Sequence, residues 1–389
     1  MQRQVALGLM RRALDIVEKQ WPEMAERPMK VPLDYYNSPE LAARERHLYE
    51  TSPLALVHTA ELAKPHDYVV RNAVGRSVLL TRDGNGKAHA FLNYCRHRGA
   101  EPAKGCGNAT RFSCPYHAWN YDTQGRLVGM PLRDRYEGFD FAAHGLVELP
   151  SEERHGFLWV VLTPGHKIDV AAHLGEMDAE IGSLGCAQMQ YYPSLPEAKL
   201  EANWKSVAEG LLEGLHLPFV HADTFNLNPQ AAFLDLAFHD AVGPHIRWGL
   251  PLFDKAGAVK LRATPESEWD TKSGIGCIWL IFPGLLLSNE LYGMIYADLT
   301  PGASITESYL RYGWLSPVED APDGMPSPRA MAARAAKAIG QDQAVWEGCG
   351  RGLARGGHDY AVIGRNEKSI QLFHERVAEL IGYTGLDYA

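Results

Sequence analysis

Four residues constrain this chain more than any others. Cys95-Arg96-His97 is followed, after sixteen residues, by Cys114-Pro115-Tyr116-His117. Each short stretch offers one thiolate and one imidazole. Four such groups can close a tetrahedral zinc site. They can equally hold a two-iron, two-sulfur cluster, with both Cys on one iron and both His on the other. Zinc fingers usually pair like with like, Cys with Cys and His with His. Here Cys and His alternate, which suits one of each from two opposed loops. Zinc, or two unrelated Cys–His pairs, are the alternatives. Gly99, Gly105 and Gly107 give flexible backbone nearby, and Cys106 reads as a packed thiol.

The remaining composition narrows the classes. A chain of 389 residues accommodates two or three domains. Lys plus Arg is 38 and Asp plus Glu is 47, so the net charge is 38 − 47 = −9. That balance lacks the basic footprint of a nucleic-acid binder. The longest nearly unbroken apolar run, Cys277–Leu287, has eleven residues, against the roughly 20 a membrane span needs. Arg3, Arg11 and Arg12 flank too few apolar residues for a signal-peptide core. A cytoplasmic protein with no membrane partner is expected. Six cysteines in this length are no disulfide scaffold, and Cys186, Cys277 and Cys349 read as buried apolar thiols.

The hydrophobic pattern gives an α+β chain. Val5, Leu9, Leu14 and Val17 fall near helical spacing, and a second helix is expected over Pro39–Tyr49 behind Ser38. This segment, 1–49, is expected to pack on a larger domain. Residues 50–163 read as short strands and turns: Tyr68–Asn72, Ser77–Thr81, Ala88–Tyr94 and Phe157–Leu162, with turns at 82–87 and 122–125. Thr163-Pro164-Gly165 is a plausible boundary. In 164–389 the pattern gives helices at 170–181 and 204–215. Strands are expected at 191–195, 246–250, 277–282, 292–299 and 307–315, then helices at 328–339, 341–353 and 367–381.

A second constellation lies at Glu213, His216 and His221. On one continuous helix, residues five apart diverge by roughly 140°, so His216 and His221 converge only if the helix is disturbed. Pro218 between them removes a backbone donor. Two His and one carboxylate make the facial triad of non-haem iron(II) oxygenases, which leaves positions open for O₂ and substrate. Asp342 is the best carboxylate candidate, with Asp320, Asp323 and Glu347 as competitors. Glu152-Glu153-Arg154-His155 offers a second Glu-x-x-His of the di-iron type, but it leads into a strand. Leu211, Leu212, Leu217, Phe219, Phe233 and Pro283–Leu287 supply apolar walls for an aromatic or hydrophobic substrate, or core.

At these residues the chain resembles the α subunits of Rieske ring-hydroxylating oxygenases. Asn93-Tyr94-Cys95-Arg96-His97-Arg98-Gly99-Ala100 and Cys114-Pro115-Tyr116-His117-Ala118-Trp119 look like that family's Rieske loops. Asn203-Trp204-Lys205, Glu209-Gly210, Glu213, His216 and His221 are similar to the start of its iron site. Asp342, Glu347, Gly352-Leu353 and Phe373-His374 match its end. In respiratory Rieske proteins each loop has an additional Cys, and the two form a disulfide. Ala100 stands at the first such position, so the resemblance implies no disulfide and a lower-potential cluster.

The resemblance implies a β-rich Rieske [2Fe-2S] domain, followed by a catalytic antiparallel sheet wrapped by helices, of helix-grip type. It implies that Cys95, His97, Cys114 and His117 hold the cluster, and that His216, His221 and Asp342 bind Fe(II). Glu213 would link the two centres within a homotrimer, from His97 or His117 to His216. Electrons would come from NAD(P)H through a separate ferredoxin or flavin reductase, since no nucleotide-binding glycine fingerprint is present. The implied activity is hydroxylation of an apolar or aromatic substrate with O₂. Alternatives are C–H hydroxylation or N-/O-demethylation, for instance of a quaternary ammonium compound, and a catalytically silent electron-transfer protein. Two departures stand out: Gly210 where the family usually has Asn, and Leu215 where it often has Tyr.

Overall fold

In the computed structural model the described residues are 1, 3–225, 236–271, 274–290 and 292–389. They form two compact units, Tyr49–His173 and Met1–Leu48 with Leu174–Ala389. The first unit runs past Thr163-Pro164-Gly165. The Val170 amide donates to Glu152 Oε2 at 3.1 Å, and the His173 ring lies 6.0 Å from Trp159, both within that unit.

The Tyr49–His173 unit is all antiparallel. A five-stranded sheet runs in the order Glu148–Leu149, Ala88–Leu92, Arg76–Arg82, Asp67–Ala73 and Cys106–Asn108. Ser151–Arg154, Phe157–Val160 and Leu54–His58 form a second sheet; Arg111–Ser113, Asn120–Asp122 and Leu127–Gly129 form a third. The two expected turns are held by aspartates: Asp83 Oδ1 accepts from the Asn85 and Lys87 amides, and Asp122 Oδ1 from those of Gln124 and Arg126. A short side-chain acceptor that mimics a backbone carbonyl is why Asp favours such positions.

The other unit is built on a seven-stranded antiparallel sheet. Its order is Gln190–Leu200, Ser308–Ser316, Gly293–Pro301, Leu285–Glu290, Ile275–Ile281, His245–Pro251 and Phe238–Val242. The last six strands form a meander, and Gln190–Leu200 closes its far side. The helix Arg3–Lys19 buries Leu9, Met10, Ala13, Leu14 and Val17 against His245–Pro251, Ile275–Ile281 and the helix Lys255–Ala263. Its apolar stripe is thus covered by its own unit. Helix Pro39–Thr51 starts where expected, with Ser38 Oγ accepting from the Leu41 amide at 3.3 Å. It meets the helix Trp204–Leu211 through an enclosed ion pair of Glu45 and Lys205, and Trp204 Nε1 donates to the second Glu45 oxygen at 2.7 Å. Burial lowers the Lys205 pKa and the Glu45 charge opposes that.

Several elements differ from expectation. The helices at 328–339 and 341–353 are one helix, Pro328–Arg355. Gly340 sits on its exposed side with open space around it, and a glycine penalty of about 1 kcal/mol does not stop a helix anchored on both sides. Its start is set by Ser327 and Pro328: Ser327 Oγ accepts from the Ala330 amide and Pro328 takes the first turn. The helix expected at 204–215 ends at Leu211. Strand Leu285–Glu290 lies where only an apolar wall was read. Cys186 and Cys277 are buried as expected, whereas Cys106 and Cys349 are exposed.

Candidate metal centres

The two Cys–His stretches fold as near copies of one another. In the first, the Cys95 amide donates to Ala100 O at 2.8 Å and the Gly99 amide to Cys95 O at 2.9 Å. In the second, the Cys114 amide donates to Trp119 O at 2.8 Å and the Ala118 amide to Cys114 O at 2.9 Å. The fourth residue after each Cys, Gly99 and Ala118, has φ of +78° and +51°. Glycine meets that requirement without strain. The second loop is the connection of a hairpin in which Ser113 faces Asn120.

This symmetry brings the four residues together. The Cys95 and Cys114 thiols are buried neighbours, while the His97 and His117 rings, 4.6 Å apart, are only half-buried. His97 stacks on Trp119 at 5.0 Å. Burial pushes the Cys95 thiol above its ordinary range, and Cys114 adds to that. Such a thiol gives up its proton to solvent readily only when a metal binds the sulfur. His117 Nδ1 is buried with no hydrogen-bond partner, and an orphaned ring nitrogen beside two thiols is a donor awaiting an acceptor of its lone pair. The donor set fits an iron–sulfur cluster.

Tyr121 is a residue the sequence reading missed. Its hydroxyl lies 3.2 Å from Cys95 Sγ and accepts from the Arg96 amide at 3.0 Å. With the amide holding the oxygen, the phenolic proton is available to sulfur. Hydrogen bonds to cluster sulfur stabilise the more negative, reduced state. A bond worth about 1 kcal/mol corresponds to roughly 40 mV for one electron. Tyr121→Phe should therefore lower the cluster potential by about that amount, as read by redox titration. An unchanged potential would place the hydroxyl's role elsewhere.

The second centre arises from the way the 204–211 helix stops. After Leu211 the chain turns, and Glu213 caps the next stretch: Glu213 Oε2 accepts from the Leu215 amide and, at 3.1 Å, from that of His216. Leu217–Val220 is a new short turn of helix, and Pro218 stands at its start, where a missing N–H costs nothing. So the break that frees the two histidines lies at 212–216, and Pro218 begins a helix rather than disturbing one.

His216 Nε2 and His221 Nε2 then point at Asp342 Oδ1, at 3.6 and 2.9 Å. The three ligand atoms lie within 4.8 Å of one another, as in no other His/Cys/Asp/Glu group among the described residues. Each ring's other nitrogen is occupied: His216 Nδ1 donates to Glu213 Oε1, and His221 Nδ1 to Gln341 Oε1 at 3.0 Å. Thr224 Oγ1 donates to the same Gln341 oxygen at 2.7 Å. Partners of this kind fix the tautomer and leave both Nε2 lone pairs for a metal. Burial disfavours a charged His221, but Asp342 and Gln341 outweigh it and raise its pKa. Two imidazoles and one carboxylate on one side of a site fit non-haem iron(II). Asp342 is buried in mid-helix, whereas Asp320 and Asp323 are exposed and Glu347 accepts from Gln343 at 2.9 Å.

Glu209, one turn before Glu213, accepts from Tyr36 OH at 2.7 Å and lies 3.1 Å from His374 Nε2. Gly210 also has a structural reason. A Cβ there would overlap the Trp346 indole, which lies one turn beyond Asp342 on its helix. Gly210→Ala should cost about 1–3 kcal/mol through overpacking. A lowered Tm that Trp346→Leu restores in the double variant would be the signature; independent effects would contradict the pairing.

The triad borders a cavity of about 300 Å³. Leu211, Leu217 and Leu286 line it as expected, but Leu212 does not, and Phe219 is 75% exposed. Phe233 lies outside the described residues. The cavity floor is a row across the sheet, Trp248, Ile278, Ser288 and Ile295, in direct register.

Residues 52–146 match the family description "Rieske [2Fe-2S] domain", and residues 187–383 match "Ring hydroxylating alpha subunit (catalytic domain)". The chain is 29% identical over 199 residues to the anthranilate 1,2-dioxygenase large subunit of Acinetobacter baylyi, covering 49% of this chain and 42% of that one. It is 28% identical over 201 residues to the carnitine monooxygenase oxygenase subunit of Escherichia coli, covering 49% and 52%. The chain thus spans about half the length of these relatives. A solved structure of a quaternary ammonium Rieske monooxygenase with L-carnitine superposes with a TM-score of 0.73, at 20% identity, over 92% of this chain and 96% of that one. At that identity the likeness is one of fold. No described helix is long and apolar enough to cross a membrane. With both family descriptions matched in order along it, the chain belongs to the ring-hydroxylating α-subunit family and carries a Rieske [2Fe-2S] domain ahead of its catalytic domain.

Proposed function

We propose that this chain is the terminal oxygenase component of a multicomponent cytoplasmic system, hydroxylating a small organic substrate with O₂. The observation that carries the reading is the His216–His221–Asp342 triad, set in the wall of a mainly apolar cavity. In this reading Cys95, His97, Cys114 and His117 hold a [2Fe-2S] cluster, and His216, His221 and Asp342 hold Fe(II). When bound, these groups supply one-electron transfer and O₂ activation.

The chain's own residues do the rest. Glu213 holds the His216 imidazole through its Nδ1–H and is the acceptor through which a cluster histidine of a neighbouring subunit would be coupled. Gln341 does the orienting for His221. The Trp248–Ile278–Ser288–Ile295 row excludes water from the substrate's apolar body, which strengthens every polar contact there. Reducing equivalents come from NAD(P)H through a partner ferredoxin or flavin reductase, and the working assembly is a homotrimer.

The test is substrate-dependent O₂ consumption, with a surrogate reductase and NADH, across a panel of aromatic acids, hydrocarbons and amines. Coupled O₂ uptake with a hydroxylated or dealkylated product supports the reading. A protein that accepts electrons from the reductase but shows no coupled uptake with any panel member would favour an electron-transfer role.

A further inference from the structure

Leu286, Ser288 and Glu290 alternate along one strand and all face the cavity. Glu290 is out of place there. Among the described residues it forms no ion pair, and its one hydrogen bond comes from Ser288 Oγ at 3.2 Å. Burial raises its pKa, and Arg334, which also borders the cavity, offsets only part of that. A half-buried carboxylate with so few partners costs stability unless something that enters the cavity compensates it. Trp248 and Tyr312 present aromatic surface in the same wall, and a cation is attracted to aromatic faces as well as to a carboxylate.

We propose that Glu290 is a specificity-determining residue that selects substrates carrying a cationic nitrogen, an amine or quaternary ammonium, on a small apolar body. This inference rests on the oxygenase reading only in calling the ligand a substrate. The cation sits at the Ser288–Glu290 end, against the carboxylate. An apolar body held over the sheet row then places carbon next to the triad.

The test reads binding, so it is separate from turnover. Iron-loaded protein is titrated calorimetrically with choline and with 3,3-dimethylbutan-1-ol, which has the same shape with carbon in place of the ammonium nitrogen. Wild type is expected to bind choline at least about tenfold more tightly, the scale of a desolvated cation–π and ion-pair contact. Glu290→Gln should abolish that preference while leaving affinity for the alcohol and iron content unchanged, with a Tm no lower than that of wild type, since the uncompensated carboxylate is gone. Equal affinities in wild type, no choline binding at 10 mM (about 3 kcal/mol of binding free energy or less), or a preference that survives Glu290→Gln would each overturn the proposal. The wild-type comparison stands even if the variant misfolds. Failure of the oxygenase reading shows separately, as absent O₂ uptake beside intact choline selectivity.

Discussion

Asp342→Ala is expected to abolish substrate-dependent O₂ consumption and to remove the mononuclear iron while leaving the cluster and its visible absorption. Among the described residues, Asp342 is the sole carboxylate that both Nε2 atoms face, at 2.9 and 3.6 Å. Without it, two neutral imidazoles remain, a set too weak and too incomplete for Fe(II). Loss of a directly placed donor exceeds the 10–100-fold typical of its supporting partners, so turnover should fall by well over about a hundredfold. The Cys–His loops lie in the other compact unit and keep their own bonds. Metal analysis beside O₂ uptake reads both effects. Turnover near wild type would remove Asp342 from the iron site, and loss of colour together with iron would point to general unfolding.

Glu213→Gln should produce the second-largest loss, by a different route. The Glu213 carboxylate does two jobs with two oxygens: one accepts from the Leu215 and His216 amides, the other from His216 Nδ1–H. A glutamine has one acceptor oxygen. If that oxygen keeps the backbone amides, its NH₂ faces Nδ1 and favours the imidazole tautomer whose Nε2 carries the proton. That tautomer offers the triad no lone pair. Iron should be held about 10–100-fold less tightly. Turnover per bound iron should fall further, because the carboxylate proposed to couple His216 to the electron supply is gone. Iron titration and stopped-flow cluster oxidation separate the two losses. Wild-type iron affinity with wild-type turnover would reduce Glu213 to a helix cap.

Much of this was legible in the residue order. The Cys–His stretches name their partners because metal ligands must be contributed by specific side chains, and each short loop keeps one Cys and one His close in sequence. The two histidines were legible as a pair, but the cause of their convergence was not. Pro218 suggested a break, whereas the chain breaks earlier, at 212–216, where Glu213 satisfies the amides that a helix start leaves open. Asp342 could be picked only from competitors, since nothing local marks a carboxylate that becomes buried when its helix packs on the sheet. The same holds for the long helix itself, whose Gly340 read as a stop because its surroundings were unknown. Tyr121, Gln341 and Glu290 were missed for one reason. Each acts across strands or helices, through hydrogen bonds or walls that only tertiary packing creates. Gly210 read as a departure from the family pattern, and the Trp346 indole that takes up its space lies far along the chain.

The most direct test of the two-centre account is electron paramagnetic resonance of anaerobically purified protein, before and after dithionite reduction, with iron and acid-labile sulfide quantified. The account predicts a red-brown protein with about three irons and about two sulfides per chain. It also predicts a Rieske-type signal appearing on reduction. A colourless protein that carries zinc and no sulfide would contradict it, since four donors closed around zinc leave no route for electrons to the triad.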